Sequence, residues 1–208
     1  MTTVAIIGAG TMGHGIAYVA AFAGYDVSLF DLSEDSLEHA RAHIGLALDS
    51  GVMRGKVSEE ARSATMSHLS LSTVLKSAVS DANIVIEAVP EVIALKQELF
   101  RQISDRAPRE ALLATNTSSL SVSEIASATD SPNRVIGIHF FNPVPAMKLV
   151  EIIRGDSTDE ASVRRAHSFA ESLGKTAIVV ADSPGFATSR LGVVLGLEAM
   201  RMLEQGVA

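Results

Sequence analysis

The 208-residue sequence contains no cysteine, which excludes disulfides, thiolate catalysis and cysteine-ligated metal sites. Positive charge is also scarce: 17 Lys and Arg against 24 Asp and Glu give a formal net charge of -7. That balance argues against nucleic acid or an anionic membrane as partner, so an anionic ligand must be held by local backbone amides and a few placed cations. There are no internal repeats and no low-complexity tracts. Residues 1–25 lack Lys, Arg, Asp and Glu altogether, an opening that resembles a signal or membrane-spanning segment. Glycines at 8, 10, 13, 15 and 24 and the missing basic start argue otherwise, which leaves cytoplasm as the default compartment. What is abundant is apolar: 47% hydrophobic residues suffice for a sizeable core, in one large domain or one domain and part of another.

Val4 to Ile7 reads as a buried strand, and Gly8, Gly10 and Gly13 supply the G-x-G-x-x-G spacing before the apolar helical positions Ile16, Ala17, Val19 and Ala20. Gly8 permits a tight turn, Gly10 admits a pyrophosphate without a Cβ in the way, and Gly13 allows the helix to pack closely. With Thr11 and Met12 these glycines open a helix whose N-terminus faces phosphates. A second strand, Tyr25 to Phe30, ends in Asp31. A carboxylate there accepts from ribose hydroxyls and repels a 2′-phosphate, and Leu32-Ser33-Glu34 provide no cation to reverse this, so the expected cofactor is NAD rather than NADP.

Beyond Asp31 the pattern predicts a helix over residues 34–50 and a polar helix-loop excursion over 51–68. There follow a strand at Leu69–Leu71, a helix near Val74–Val79, a strand at Ile84–Val89, a helix from Glu91 to Arg106 and a strand at Ala111–Thr115. Ser121 and Glu124 form a capping box, so Asn116-Thr-Ser-Ser-Leu120 is a loop leaving the carboxyl end of a strand, where doubly wound sheets bind ligands. Val135–Phe140 and Lys148–Ile153 read as strands about the Pro-containing turn at 142–145. A helix over Asp159–Leu173, a strand at Ala177–Ala181, a break at 182–185 and an apolar helix over Phe186–Leu203 complete the chain. The expected fold is α/β, a doubly wound Rossmann-type sheet over residues 1–183 followed by the first helix of an all-α domain over 184–208.

A hairpin centred near Pro145 sets His139 opposite Glu151 on one face. Such a pair suits proton transfer, because the carboxylate fixes the imidazole tautomer while the free ring nitrogen takes a proton from an alcohol. Spacing alone favours a structural strand histidine over this reading.

Thr115-Asn-Thr-Ser-Ser-Leu120, His139-Phe-Phe-Asn-Pro-Val-Pro145, Met147-Lys-Leu-Val-Glu151 and Asp182-Ser-Pro-Gly-Phe186, in this order behind the glycine fingerprint, resemble the NAD-dependent L-3-hydroxyacyl-CoA dehydrogenases, including bacterial 3-hydroxybutyryl-CoA dehydrogenases. The resemblance covers nearly the whole chain and implies a place in fatty acid metabolism. It implies His139 as catalytic base in oxidation and acid in reduction, Glu151 as its orienting partner and Ser118 as a hydrogen-bonding group to the substrate oxygen. Glu91, Lys96 and Asn142 match positions near the nicotinamide half of the cofactor; a helix first turn, a solvated helix face and a turn are their structural alternatives. Arg54 and Lys56 fall where the family brings a basic group to the coenzyme A phosphates, and a solvated loop accounts for them equally well.

Two departures stand out. Ser189 occupies a position where the family usually has Asn, and its shorter hydroxyl implies a lengthened or water-bridged substrate contact. Family members also continue for roughly another hundred residues, a helical domain by size, so the chain is expected to be a truncated form with its apolar last helix wanting neighbours, and a homodimer through the C-terminal region is implied. The other readings are an NAD-dependent dehydrogenase of a free hydroxy acid or sugar acid, and a non-catalytic NAD-binding relative. No metal site is expected: His39 and His43 share i, i+4 spacing without a third ligand. His14 lies within the fingerprint, facing solvent or cofactor.

Overall fold

The computed structural model describes residues 2–207, so the outermost residues of the two expected units, 1 and 208, lie outside the described residues. Its first strand, β1 (Thr3–Ile7), is apolar on both faces: Val4 and Ile6 join one buried cluster, Ala5 and Ile7 another. Because successive side chains on a strand point to opposite faces, such a strand needs helices above and below it.

The remaining strands are β2 (Asp26–Phe30), β3 (Leu69–Ser72), β4 (Ile84–Glu87), β5 (Leu112–Thr115), β6 (Val135–Phe140), β7 (Leu149–Arg154) and β8 (Thr176–Ala181). The helices are α1 (Thr11–Phe22), α2 (Glu34–Met53), α3 (Glu59–Ser67), α4 (Leu75–Val79), α5 (Ile93–Arg106), α6 (Val122–Ala126), α7 (Glu160–Ser172) and α8 (Thr188–Glu204). Ile16, Leu37, Ile44 and Phe169 from α1, α2 and α7 pack on one face of the sheet; Val79, Phe100, Ile103 and Ile125 from α4, α5 and α6 pack on the other.

The strand order is β3-β2-β1-β4-β5-β6-β7-β8. Pairs among β1 to β6 are parallel, whereas β7 runs antiparallel to β6 and β8 parallel to β7. The doubly wound Rossmann-type expectation therefore holds, with a reversed two-strand extension at one edge. Between β1 and β4 the chain order reverses, opening a crevice at the carboxyl ends of those strands.

Element boundaries moved where side chains replaced ladder hydrogen bonds. β4 ends at Glu87 rather than Val89, because the Val89 amide donates to the Glu87 carboxylate at 2.7 Å. The next helix starts at Ile93, which leaves Glu91 in the preceding loop. The expected excursion holds a full helix, α3, tied to α2 by Arg62 and Asp49 at 2.5 Å. Phe186, expected to open the last helix, has φ of 50 and precedes α8 in a turn.

The fingerprint glycines divide their tasks. Gly8 has φ of 108, which L side chains rarely adopt. A Cβ on Gly13 would lie 1.7 Å from the Gly8 carbonyl oxygen, so this residue closes the helix on the turn more than on the strand. A Cβ on Gly10 meets nothing within 4 Å. Gly13→Ala is therefore expected to cost more than about 3 kcal/mol in denaturant unfolding, and Gly10→Ala less than about 1 kcal/mol. Equal losses in the two variants would contradict this division.

Candidate active site

The β6–β7 register places His139 directly across from Glu151. Their side chains meet, His139 Nδ1 lying 2.8 Å from Glu151 Oε2 in a site where the histidine is 5% exposed and the glutamate 0%. A carboxylate only accepts, so Nδ1 carries the proton and Nε2 is left as a base. Phe141 and Phe186 flank the imidazole, with ring centroids at 4.5 and 6.0 Å.

Glu151 receives three further hydrogen bonds from the start of α8: the Ala187 and Thr188 amides donate to Oε1 at 3.1 and 2.9 Å, and the Thr188 hydroxyl to Oε2 at 2.7 Å. Burial pushes this carboxyl up, but the bonds from His139, Thr188 and Ala187 outweigh it and hold it below the ordinary glutamate value of 4.5.

The loop after β5 is fastened from two sides. The Asn116 side-chain oxygen accepts from the Phe140 amide at 2.8 Å, joining it to the strand of His139. The Ser118 amide donates to Glu91 at 2.9 Å, as does the Ser119 amide at 3.3 Å, and the Thr117 hydroxyl donates to the same oxygen. Ser118 itself is exposed, at the carboxyl end of the strand beside β6. Lys96 is 1% exposed rather than on a solvated face; its ammonium lies 2.6 Å from Glu87 and 3.3 Å from Glu91. Burial raises the Glu91 carboxyl, and Thr117, Ser118 and Lys96 pull it down further, to below its ordinary value.

On the other side of the β1–β4 crevice, Asp31 accepts from the Ala9 amide at 2.9 Å and the Ser33 amide at 3.1 Å. A cavity of about 400 Å³ lies there, lined by Gly8, Asp31, Leu32, Leu75, Val89 and Leu99. The first turn of α1, with Thr11 and Met12, has no side-chain cap, and Gly10 leaves its approach open. These features fit a dinucleotide: open amides for pyrophosphate, free carboxylate lone pairs for a ribose and apolar walls for a base.

Asn142 is exposed in the turn beyond β6, and Ser189 is half-buried in the first turn of α8. Arg54 and Lys56 stand exposed between α2 and α3, and among the described residues no hydrogen bond or ion pair joins them to the dyad. His14 is half-buried and stacks on His43 at 5.4 Å. Among the described residues no cluster of three or more His, Asp or Glu could hold a metal, and no helix is long and apolar enough to cross a membrane.

The description "3-hydroxyacyl-CoA dehydrogenase, NAD binding domain" matches residues 3–183. The chain belongs to that family. It is 41% identical over 203 residues to a probable 3-hydroxybutyryl-CoA dehydrogenase of Bacillus subtilis, covering 98% of this chain and 70% of that protein. It is 43% identical over 208 residues to 3-hydroxybutyryl-CoA dehydrogenase of Mycobacterium tuberculosis, covering 99% of this chain and 72% of the relative. The crystal structure of (S)-3-hydroxybutyryl-CoA dehydrogenase from Ralstonia eutropha superposes with a TM-score of 0.97 at 36% identity, covering 100% of this chain and 73% of that one. NAD is the cofactor of this dehydrogenase fold.

Thr188 and Glu87 organise the site without having been singled out by sequence reasoning, and Asn116 and Thr117, read there only as part of the loop after β5, fasten that loop. Glu87, an acid closing the apolar run Ile84-Val-Ile, was the one visible signal.

A carboxyl held low in the fold contributes stability that is full above its unfolded value and is lost as pH falls through the lower folded value. Glu151→Gln is expected to cost about 2–4 kcal/mol at pH 7, since the amide hydrogens would face donors. The melting-temperature gap to the parent protein should stay wide above the ordinary glutamate value of 4.5 and narrow as pH falls below it. A gap independent of pH between 3 and 7 would remove Glu151 as an ionised, bonded carboxylate.

Proposed function

We propose that this chain forms the cofactor-binding and proton-transferring part of an NAD-dependent oxidoreductase that interconverts L-3-hydroxyacyl-CoA and 3-ketoacyl-CoA. The observation that carries the reading is the buried His139–Glu151 pair near the carboxyl end of β6, whose Nε2 is left as a base in the same sheet that carries the dinucleotide crevice. Bound NAD supplies the hydride acceptor for the carbinol carbon. His139 takes the hydroxyl proton at Nε2 in oxidation and returns it to the ketone oxygen in reduction, while Glu151 stays ionised and steadies the imidazolium. The Ser118 hydroxyl hydrogen-bonds the same substrate oxygen.

Gly8, Gly10, Thr11, Met12, Gly13 and Asp31 are assigned to the pyrophosphate and adenosine ribose. Glu91, Lys96 and Asn142 are assigned to the nicotinamide half, Arg54 and Lys56 to the coenzyme A phosphates, and Ser189 to the acyl cleft. The division at residue 183 is supported by the family match ending there. A homodimer through the C-terminal region is supported by α8, in which no residue is buried and which exposes Leu191, Val194, Leu195, Met200 and Leu203.

Acetoacetyl-CoA and acetoacetate, each with NADH, separate an acyl-CoA enzyme from one acting on free acids, and turnover of neither points to a non-catalytic NAD-binding protein. His139→Ala is expected to lower acetoacetyl-CoA reduction by about 10² to 10⁴ with NADH affinity little changed; full turnover in that variant would make His139 a strand residue. NADH should bind more tightly than NADPH, and Asp31→Ala should narrow that difference. Equal affinities in the parent protein would refute the assignment of Asp31.

A further inference from the structure

Among the described residues, three of the four hydrogen bonds to Glu151 come from one dipeptide, Ala187-Thr188. Its two amides hold Oε1, and the Thr188 hydroxyl holds Oε2, the oxygen that faces His139. The plane of the carboxylate is thereby set at both ends. Without the hydroxyl, Oε2 would keep the imidazole as its one protein donor, and rotation about the terminal torsion, which is broad for a glutamate, would be restrained at Oε1 alone.

The backbone that delivers this dipeptide is itself unusual. Gly185 has φ of 74 and Phe186 φ of 50, so two successive residues lie in the left-handed region, the second of them carrying a side chain. Such a conformation persists only where the surroundings over-determine it. Here the Phe186 ring is 3% exposed and stands edge-on to the His139 ring at 6.0 Å, while the following amides end on Glu151. The turn and the hydroxyl converge on the same two side chains.

We propose that Thr188 is a positioning residue for the His139–Glu151 dyad, delivered by the left-handed turn at Gly185-Phe186. Its hydroxyl fixes Oε2 toward the imidazole. By donating to that oxygen it also stabilises the carboxylate as an anion, so that the proton stays on His139 Nδ1. A serine can make the same bond; a valine fills the same volume and cannot.

The inference rests on His139 as the proton-transfer group, so the test in the full-length protein includes a readout independent of turnover. Thr188→Val is expected to lower kcat for acetoacetyl-CoA reduction by about tenfold, with KM and NADH affinity within about twofold. The imidazole proton shared with Glu151, assigned by NMR through its loss in His139→Ala, should exchange with solvent about tenfold faster in Thr188→Val. Thr188→Ser should restore both quantities. Unchanged kcat and exchange in Thr188→Val would overturn the proposal. If Thr188→Val lowers the melting temperature by more than a few degrees, the serine variant decides: a tenfold loss despite its hydroxyl overturns the proposal equally. Full turnover in His139→Ala would overturn the proton-transfer reading instead, and the exchange rates would still report whether Thr188 orders the pair.

Discussion

A carboxylate removed from water needs donors for its lone pairs, and this requirement organises the carboxyl-end loops of the sheet. Asp31 takes amides from the glycine turn and from the start of α2. Glu87 takes the Val89 amide, the Thr115 hydroxyl at 2.7 Å and Lys96. Glu91 gathers the loop after β5, and Glu151 gathers the start of α8. Away from those loops, at the end of the reversed strand β8, Asp182 accepts from the Ser121 hydroxyl and the Ser123 amide, both at 2.8 Å, and so anchors α6. Each acid reaches across to a segment it does not adjoin in sequence, and together they convert loops that would otherwise be free into a fixed rim.

The same requirement sets the vulnerability of the rim. Lys96 and Glu87 are a buried pair, and removing one partner of such a pair leaves an uncompensated charge at a cost of about 3–5 kcal/mol. A surface pair such as Arg201 and Glu198 contributes far less, because both groups stay hydrated. Lys96 also lies 3.3 Å from Glu91, which holds Ser118, so a lysine inside the fold steadies a serine exposed at the site. Positioning and stability are linked here through charge rather than through packing.

The attachment of α8 follows the same logic by different means. None of its residues is buried, and its first turn meets the sheet through hydrogen bonds to Glu151 and through the Phe186 ring that precedes it. Apolar packing would tolerate small shifts of such a helix, whereas two amides and a hydroxyl on one carboxylate constrain its direction.

Much of the fold was legible in one dimension, because its causes are local. Strand β1, the glycine turn, α1 and the acid at 31 announce themselves by spacing, and the hairpin about Pro145 brought His139 and Glu151 together in the sequence reading as they stand in the structure. What stayed hidden depended on partners distant in sequence. Glu91 reads as a helix start and Lys96 as a solvated helix residue until α5 is laid against β4 and β5, where the lysine meets Glu87 and the glutamate meets residues 117–119. Thr188, separated from Glu151 by 37 positions, has no local pattern that marks it. Periodicity and turn chemistry are properties of neighbouring residues, so the sequence alone determined the layered α/β fold, the cofactor turn and the dyad. Desolvation acts only once the chain has closed, so tertiary structure alone decided which charges are buried and which donors must answer them.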